Sequence, residues 1–390
     1  MERRYCRAGF SSVLAKRRGH LQRCVMCARL FSPRNSIMIK TTALRIACIG
    51  LASACSRAAP LAPSSSVNTA TRGALATTPD SATTTAALAR ARLPLDSLPI
   101  VARIELPKSA DWITFGDHAV WVVNYSPDRV SRIDDRTNKL VADIPMGRNG
   151  CLGIQYANAR VWVATCGDSL MNEIDPHTNT IIRKIHVPIK RGREGAFAIA
   201  NGSFWIPDNV SDSSSRSITR VSMSDGKVLT NIATGARSDV AIAGFGSVWV
   251  ASSRENVVVR IDPSTNKVIA TIEVGGSPKF MTAGEGAVWV QNRTDGSVSR
   301  IDPRRNIEVA RIQARAPTGA GDISAGGGAV WLSVDGKPVT RIDARTNTVT
   351  HQYVGGTGAD GLRYGVGAVW VGDHRLGQLW RVDISKISPR

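Results

Sequence analysis

The chain has 390 residues, 43% of them hydrophobic, and a formal net charge of +19. No apolar run reaches the roughly 18 residues that a membrane-spanning helix needs. Residues 1–54 hold eleven Lys/Arg and one acidic residue, Glu2, so more than half of the excess charge lies ahead of the region that folds. With no clustered basic face and no known module in the remainder, nucleic-acid binding is set aside.

Residues 1–37 contain scattered arginines and a lone Cys24-Val-Met-Cys27. They read as a misassigned or disordered extension, and a single CxxC without a second pair is a weak metal signal. Residues 38–54 read as a signal peptide. Lys40 and Arg45 form its basic end, 46–51 its apolar stretch, and Ala52-Ser53-Ala54 its cleavage site. Cys55 follows directly, as in a bacterial lipoprotein whose cysteine is acylated. The expected Leu is one place early, at Leu51, which keeps release of a soluble protein open. The chain is thus expected to be exported to the cell envelope or periplasm. One form is an outer-membrane lipoprotein that meets the membrane only through Cys55. Residues 55–99, rich in Ala, Ser, Thr and Pro, read as a disordered tether.

From residue 100 onward the sequence repeats. The Trp of an xVWV signature recurs at Trp121, Trp162, Trp205, Trp249, Trp289, Trp331 and Trp370, at spacings of 39 to 44. A period near 42 fits a four-stranded propeller blade and exceeds that of leucine-rich or ankyrin units. Within one unit, 239–243, 247–251, 257–261 and 267–274 read as successive strands. Helical spacing is not seen, so the expected class is all-β: a seven-bladed β-propeller over residues 100–385, with a short tail at 386–390. The Asp-Pro-Ser-Thr-Asn of 262–266 reads as a hairpin turn, since Asp accepts nearby N–H groups and Asn tolerates the left-handed region. It has counterparts at 134–138, 175–179, 302–306 and 343–347.

The last unit stops after its third strand, near Trp380. Residues 100–106 match an outer strand, so pairing the two would close the ring and hide a sheet edge. Hairpin symmetry about 157–160 sets Tyr156 against Val161 and Cys151 against Cys166. A disulfide is therefore expected there, with Cα atoms about 4.5 Å apart if the pair is directly opposed. Export makes such a bond reasonable.

The pattern GxVWVxxxxxxxVxRIDPxTNKVVATIxVG resembles the repeat of bacterial YVTN-type (YncE-like) propellers. It is also similar to that of streptogramin (virginiamycin B) lyase-like propellers. The second resemblance implies histidines and a glutamate near magnesium on one face. This chain departs from it. Of six histidines, only His374 is expected on the face where the inner strands begin, so the lyase residues do not carry over.

Ten residues before each signature Trp lies the expected channel mouth. Asp111, Asp239, Lys279 and Asp360 stand there, with Glu194 and Asp322 one place off and His374 in a neighbouring loop. Asp111, Asp239 and Asp360 offer oxygen ligands for Mg²⁺ or Ca²⁺. Arg237 and Arg363 could neutralise these acids instead, and local turn capping is the plainer account of them. No cofactor is fixed by the sequence. No GxSxG, HExxH or P-loop motif occurs, and no βαβ unit carries a dinucleotide fingerprint. The leading expectation is a monomeric module that binds a protein or small-molecule ligand. The alternative is a metal-dependent C–O lyase or hydrolase of the streptogramin lyase-like type.

Overall fold

A computed structural model of the chain describes residues 81–107, 109–125, 128–189, 195–208, 214–315, 321–334, 336–356 and 359–387. The sequence expectations for residues 1–80, including the signal peptide and Cys55, lie outside the described residues. Among the described residues no helix is long and apolar enough to cross a membrane.

Seven antiparallel sheets follow one another along the chain, forming a seven-bladed propeller. In blade 4 the strands, a to d from the axis outward, are Val240–Gly244, Ser247–Ser252, Val257–Asp262 and Lys267–Glu273. Strand b is buried along its whole length because blades cover both of its faces. Strand d is exposed at alternate or adjacent positions, as befits an outer edge. The ring closes as expected. Strand β2, Ile100–Glu105, pairs antiparallel with Gln378–Val382 of blade 7, placing Arg103 opposite Trp380 and Glu105 opposite Gln378.

Over 81–99 the expected tether is instead ordered, while 55–80 lie outside the described residues. Helix α1 spans Ser81–Ala91, and strand β1, Arg92–Pro94, runs parallel to the outer strand Thr348–Val354 of blade 6 as a fifth strand. Leu88, Ala91 and Leu98 are buried here. These apolar residues stand close together in sequence, and their burial docks the segment.

Each signature Trp is almost fully buried. Its Nε1 donates to the carbonyl five residues earlier, at 2.9 to 3.3 Å in all seven blades. The buried indole thus has its polar atom satisfied. A second repeated contact binds blade to blade. The Arg of the RID motif on strand c lies over the Trp of its own blade, 4.8 Å from the ring centroid for Arg260 and Trp249. Its guanidinium reaches the next blade's c–d turn. Arg220 donates to the Pro263 carbonyl and Asn266 Oδ1, at 3.0 and 2.7 Å. Arg132, Arg260 and Arg300 make the corresponding bonds to the turns of blades 2, 5 and 6. Arg381 of blade 7 completes the circuit onto blade 1, at Asp135 O (2.9 Å) and Asn138 Oδ1 (2.8 Å).

Two blades depart from this rule, each for a visible reason. In blade 2, Glu173 replaces the Arg opposite Trp162. Arg183 from strand d then covers that Trp, pairs with Glu173 at 2.6 Å and donates to Ser224 O in blade 3. In blade 6, Arg341 bonds Thr350 of its own blade. The next blade takes its outer strand from the N-terminal segment, so it has no c–d hairpin to receive the guanidinium.

The turn aspartates act as expected. Asp262 Oδ1 accepts from Ser264 N at 2.8 Å, and Asp343 Oδ1 from Arg345 N and Thr346 N at 3.0 and 2.9 Å. Asn266 and Asn347 sit at φ of 60° and 58°.

Cys151 and Cys166 are joined by a disulfide, with Cα atoms 5.8 Å apart. The expected register holds at Tyr156–Val161, but a bulge between Gly150 and Ile154 sets Gly150 against Thr165. The cysteines are therefore not directly opposed, and their wider spacing is one that a disulfide spans comfortably.

Candidate functional site

The inner strands begin on the face opposite the RID turns, around the propeller axis. Ala110–Gly116 of blade 1 brings Asp111 there, and its Oδ1 lies 3.5 Å from Nε2 of His374, in the loop after strand b of blade 7. The seam between first and last blades thus joins two of the residues expected at the mouth. The main chain draws them together, since Ser109 N donates to His374 O at 3.1 Å. Glycine permits the close approach, because a Cβ on Gly361 would stand 2.1 Å from Asp111 O.

The other acids are held separately. Asp239 in blade 4 is buried, lies 3.1 Å from Arg237, and accepts from Ser253 N and Oγ at 2.8 and 2.7 Å. Asp322 in blade 6 is also buried. It pairs with Arg363 of blade 7 and accepts from the amides of Ile323 and Leu362. Burial raises the Asp322 pKa above the usual carboxylate value, against the opposing pull of Arg363. Lys279 lies over the Phe280 ring, 5.6 Å from its centroid. Glu194 falls outside the described residues. Asp360 belongs to strand Ala359–Gly365, and nothing further is described of its side chain.

Polar residues at or just beyond the ends of the second strands are largely spent on the scaffold. Asn124 and Asn292 donate to Ser131 and to Ser297 and Ser299. Asp208 accepts from Ser217 and Thr219, and Asp373 from Arg375 N and Leu376 N.

The sequence reading missed what fills the middle. Trp112 projects from the inner strand of blade 1 and meets Phe280 of blade 5 edge to face, with centroids 5.7 Å apart. These blades are not neighbours in the ring, so the contact bridges the axis. Both rings are buried and belong to one cluster with Ile154, Val240, Met281 and Ile323, inner-strand residues of blades 2, 4, 5 and 6. Gly153 of blade 2 makes room for the indole: a Cβ there would stand 2.9 Å from Trp112 Cε3. A signal existed in the sequence. Nine places before each signature Trp stand Trp112, Gly153, Ala196, Val240, Phe280, Asp322 and Gly361. Two aromatics at a position otherwise held by smaller residues mark where the axis is filled.

The described residues of the mouth do not assemble a divalent-cation centre. Among the described residues no group of three or more His, Cys, Asp or Glu side chains is placed to hold a metal ion. Asp111 and Asp239 stand on blades 1 and 4, each with its own partner. A carboxylate already neutralised by an arginine is a poor hard-cation ligand, so no step through a metal is derived.

Comparison with known proteins agrees with the fold. A family model described as a domain of unknown function, DUF5074, matches residues 207–370, less than half of the chain. No curated protein matches the sequence. Among solved structures, a streptogramin B lyase superposes with a TM-score of 0.60 at 16% identity, over 72% of this chain and 96% of that one. The WD40 domain of Neurospora crassa Pan2 superposes with a TM-score of 0.55 at 9% identity, over 71% and 89%. At such identities the likeness is one of fold. The chain is a β-propeller, a fold it shares with that lyase and that WD40 domain.

Proposed function

We propose that the protein is an exported, lipid-anchored propeller of the YVTN-repeat type. In this reading it binds a protein or small-molecule ligand at the cell envelope through the face around Asp111, Lys279 and His374. The observation that carries it is the state of the mouth. The Trp112–Phe280 contact closes the axis beneath, and the acids described there are engaged one by one with Arg237, Arg363 or His374. Such a surface is rigid and charged, and it does not focus several donors on one reacting atom. It suits recognition rather than bond cleavage. The Cys151–Cys166 bond supports an oxidising compartment. The Ala52-Ser53-Ala54-Cys55 junction supports acylation at Cys55.

Cross-linking in intact cells tests the reading, with the full chain compared against a Lys279→Ala, His374→Ala double variant of unchanged melting temperature. A discrete cross-linked species that the wild type forms and the variant loses is the expected result. Equal yields from both would sink the proposed face. Fractionation tests the anchor separately: Cys55→Ser should move the protein from membrane to soluble fractions.

A further inference from the structure

The geometry points to a second binding site, on the opposite face between blades 4 and 5, for an organic anion that carries an oxyanion group on a planar apolar body. A cavity of about 750 Å³ opens there, within the range of small-molecule sites. Phe245 and Val309 provide apolar wall, and Arg260, Arg300, Arg304 and Asp302 provide charge.

The charge balance favours an anion. Asp302 faces its own turn, where Oδ1 accepts from Arg304 N and Arg305 N at 2.8 and 3.3 Å. Arg260 and Arg300 are anchored through Nη1 to the next blade, which fixes the planes of their guanidinium groups. Among the described residues, no hydrogen bond or ion pair engages the Arg304 guanidinium. Three cations thus line one cavity, two rigidly placed and one able to close on a ligand. Arginine forks match carboxylate or phosphate geometry.

Phe245 supplies the second, independent observation. It sits at φ 50° in the turn between strands a and b, and the residue is 43% exposed. At the same place blades 1, 2, 3 and 6 carry Asp117, Asn158, Asn201 and Gly327, the residue types that the left-handed region favours, and blades 5 and 7 carry Glu285 and Val366, so Phe245 is the one aromatic among the seven. A bulky aromatic there carries both backbone strain and exposed apolar area. At the cavity wall its ring gives the ligand's flat body a surface to stack on.

Calorimetric titration of the full chain with 2-naphthoate, 2-naphthyl phosphate, neutral 2-naphthylmethanol and inorganic phosphate tests the inference. At least one naphthyl anion should bind roughly tenfold more tightly than both the neutral alcohol and inorganic phosphate. Its identity distinguishes a carboxylate from a phosphate ligand. Arg304→Ala and Phe245→Gly should each weaken that binding roughly tenfold, while Phe245→Gly should not lower the melting temperature. Val366→Gly is the control. Val366 lies at φ 44° in the matching turn of blade 7, away from the cavity, so this change relieves the same strain and should leave binding intact. Absence of binding at millimolar anion would overturn the site. So would equal affinity for the neutral alcohol, or variants that bind as the wild type does.

Discussion

At the scale of single residues, the side chains that matter most are those that break a repeat. Trp112 stands nine places before Trp121, where four other blades carry Gly, Ala or Val and blade 6 carries Asp322, and it fills the axis together with Phe280. Trp112→Ala should cost about 3–5 kcal/mol, the usual range for emptying a buried aromatic site. Urea unfolding would measure it, and a loss below about 1 kcal/mol would mean that the axis is not packed. At the mouth, the positions of Asp111, Asp239, Asp322 and His374 were legible from the distance to each signature Trp. Their partners were only partly legible. Arg237 and Arg363 were foreseeable as neutralising charges, whereas the Asp111–His374 contact joins residues from the two ends of the propeller. No local pattern encodes that contact, because it exists only when blade 7 meets blade 1.

At the scale of elements, the turns and hairpins follow local chemistry. Asp134, Asp262 and Asp343 are held below the usual carboxylate pKa, chiefly by hydrogen bonds from Thr137 N, the Ser264 side chain and Thr346 N respectively. In blade 3 the Lys227 side chain holds Asp225 down at about 2. The sign follows from linkage. A carboxylate with a depressed folded pKa adds stability above its unfolded value of 3.8, and that share is lost as pH falls through the folded value. The urea midpoint should therefore hold steady down to about pH 4 and then fall towards pH 2. Asp225→Asn should remove part of that fall, and an unchanged acid profile in the variant would refute the assignment. Strand limits were readable to within about a residue or two, as expected of pattern reading. The bulge beside Cys151 was not. It adds residues to one strand without altering the alternation that the sequence displays, so the cysteines paired while their spacing differed from the direct-opposition value.

At the scale of the whole molecule, the propeller is a ring latched twice. Strand β2 completes the last sheet, and Arg381 clasps the first blade's turn while lying 5.2 Å from the Trp370 ring centroid. Arg381→Ala should cost about 2–3 kcal/mol, the sum of charge-assisted bonds and a cation–π contact at a partly buried site. Asn138→Ala removes one acceptor and should cost about 1 kcal/mol. If denaturant titration finds Arg381→Ala within about 0.5 kcal/mol of wild type, the clasp is ornamental and β2 alone holds the ring.

The sequence by itself determined the number of blades, the four strands in each, the closing strand and the cystine. Those features rest on periodicity and turn chemistry, which act over a few residues and are written in order along the chain. The tertiary structure alone decided that the axis is filled, that the repeated Arg spans neighbouring blades, that residues 81–99 dock on blade 6, and that Arg260, Arg300 and Arg304 face one cavity with Phe245. Each of these joins stretches of chain some forty residues or more apart. A ring brings such residues together through the rotation from one blade to the next, a quantity that no stretch of sequence contains.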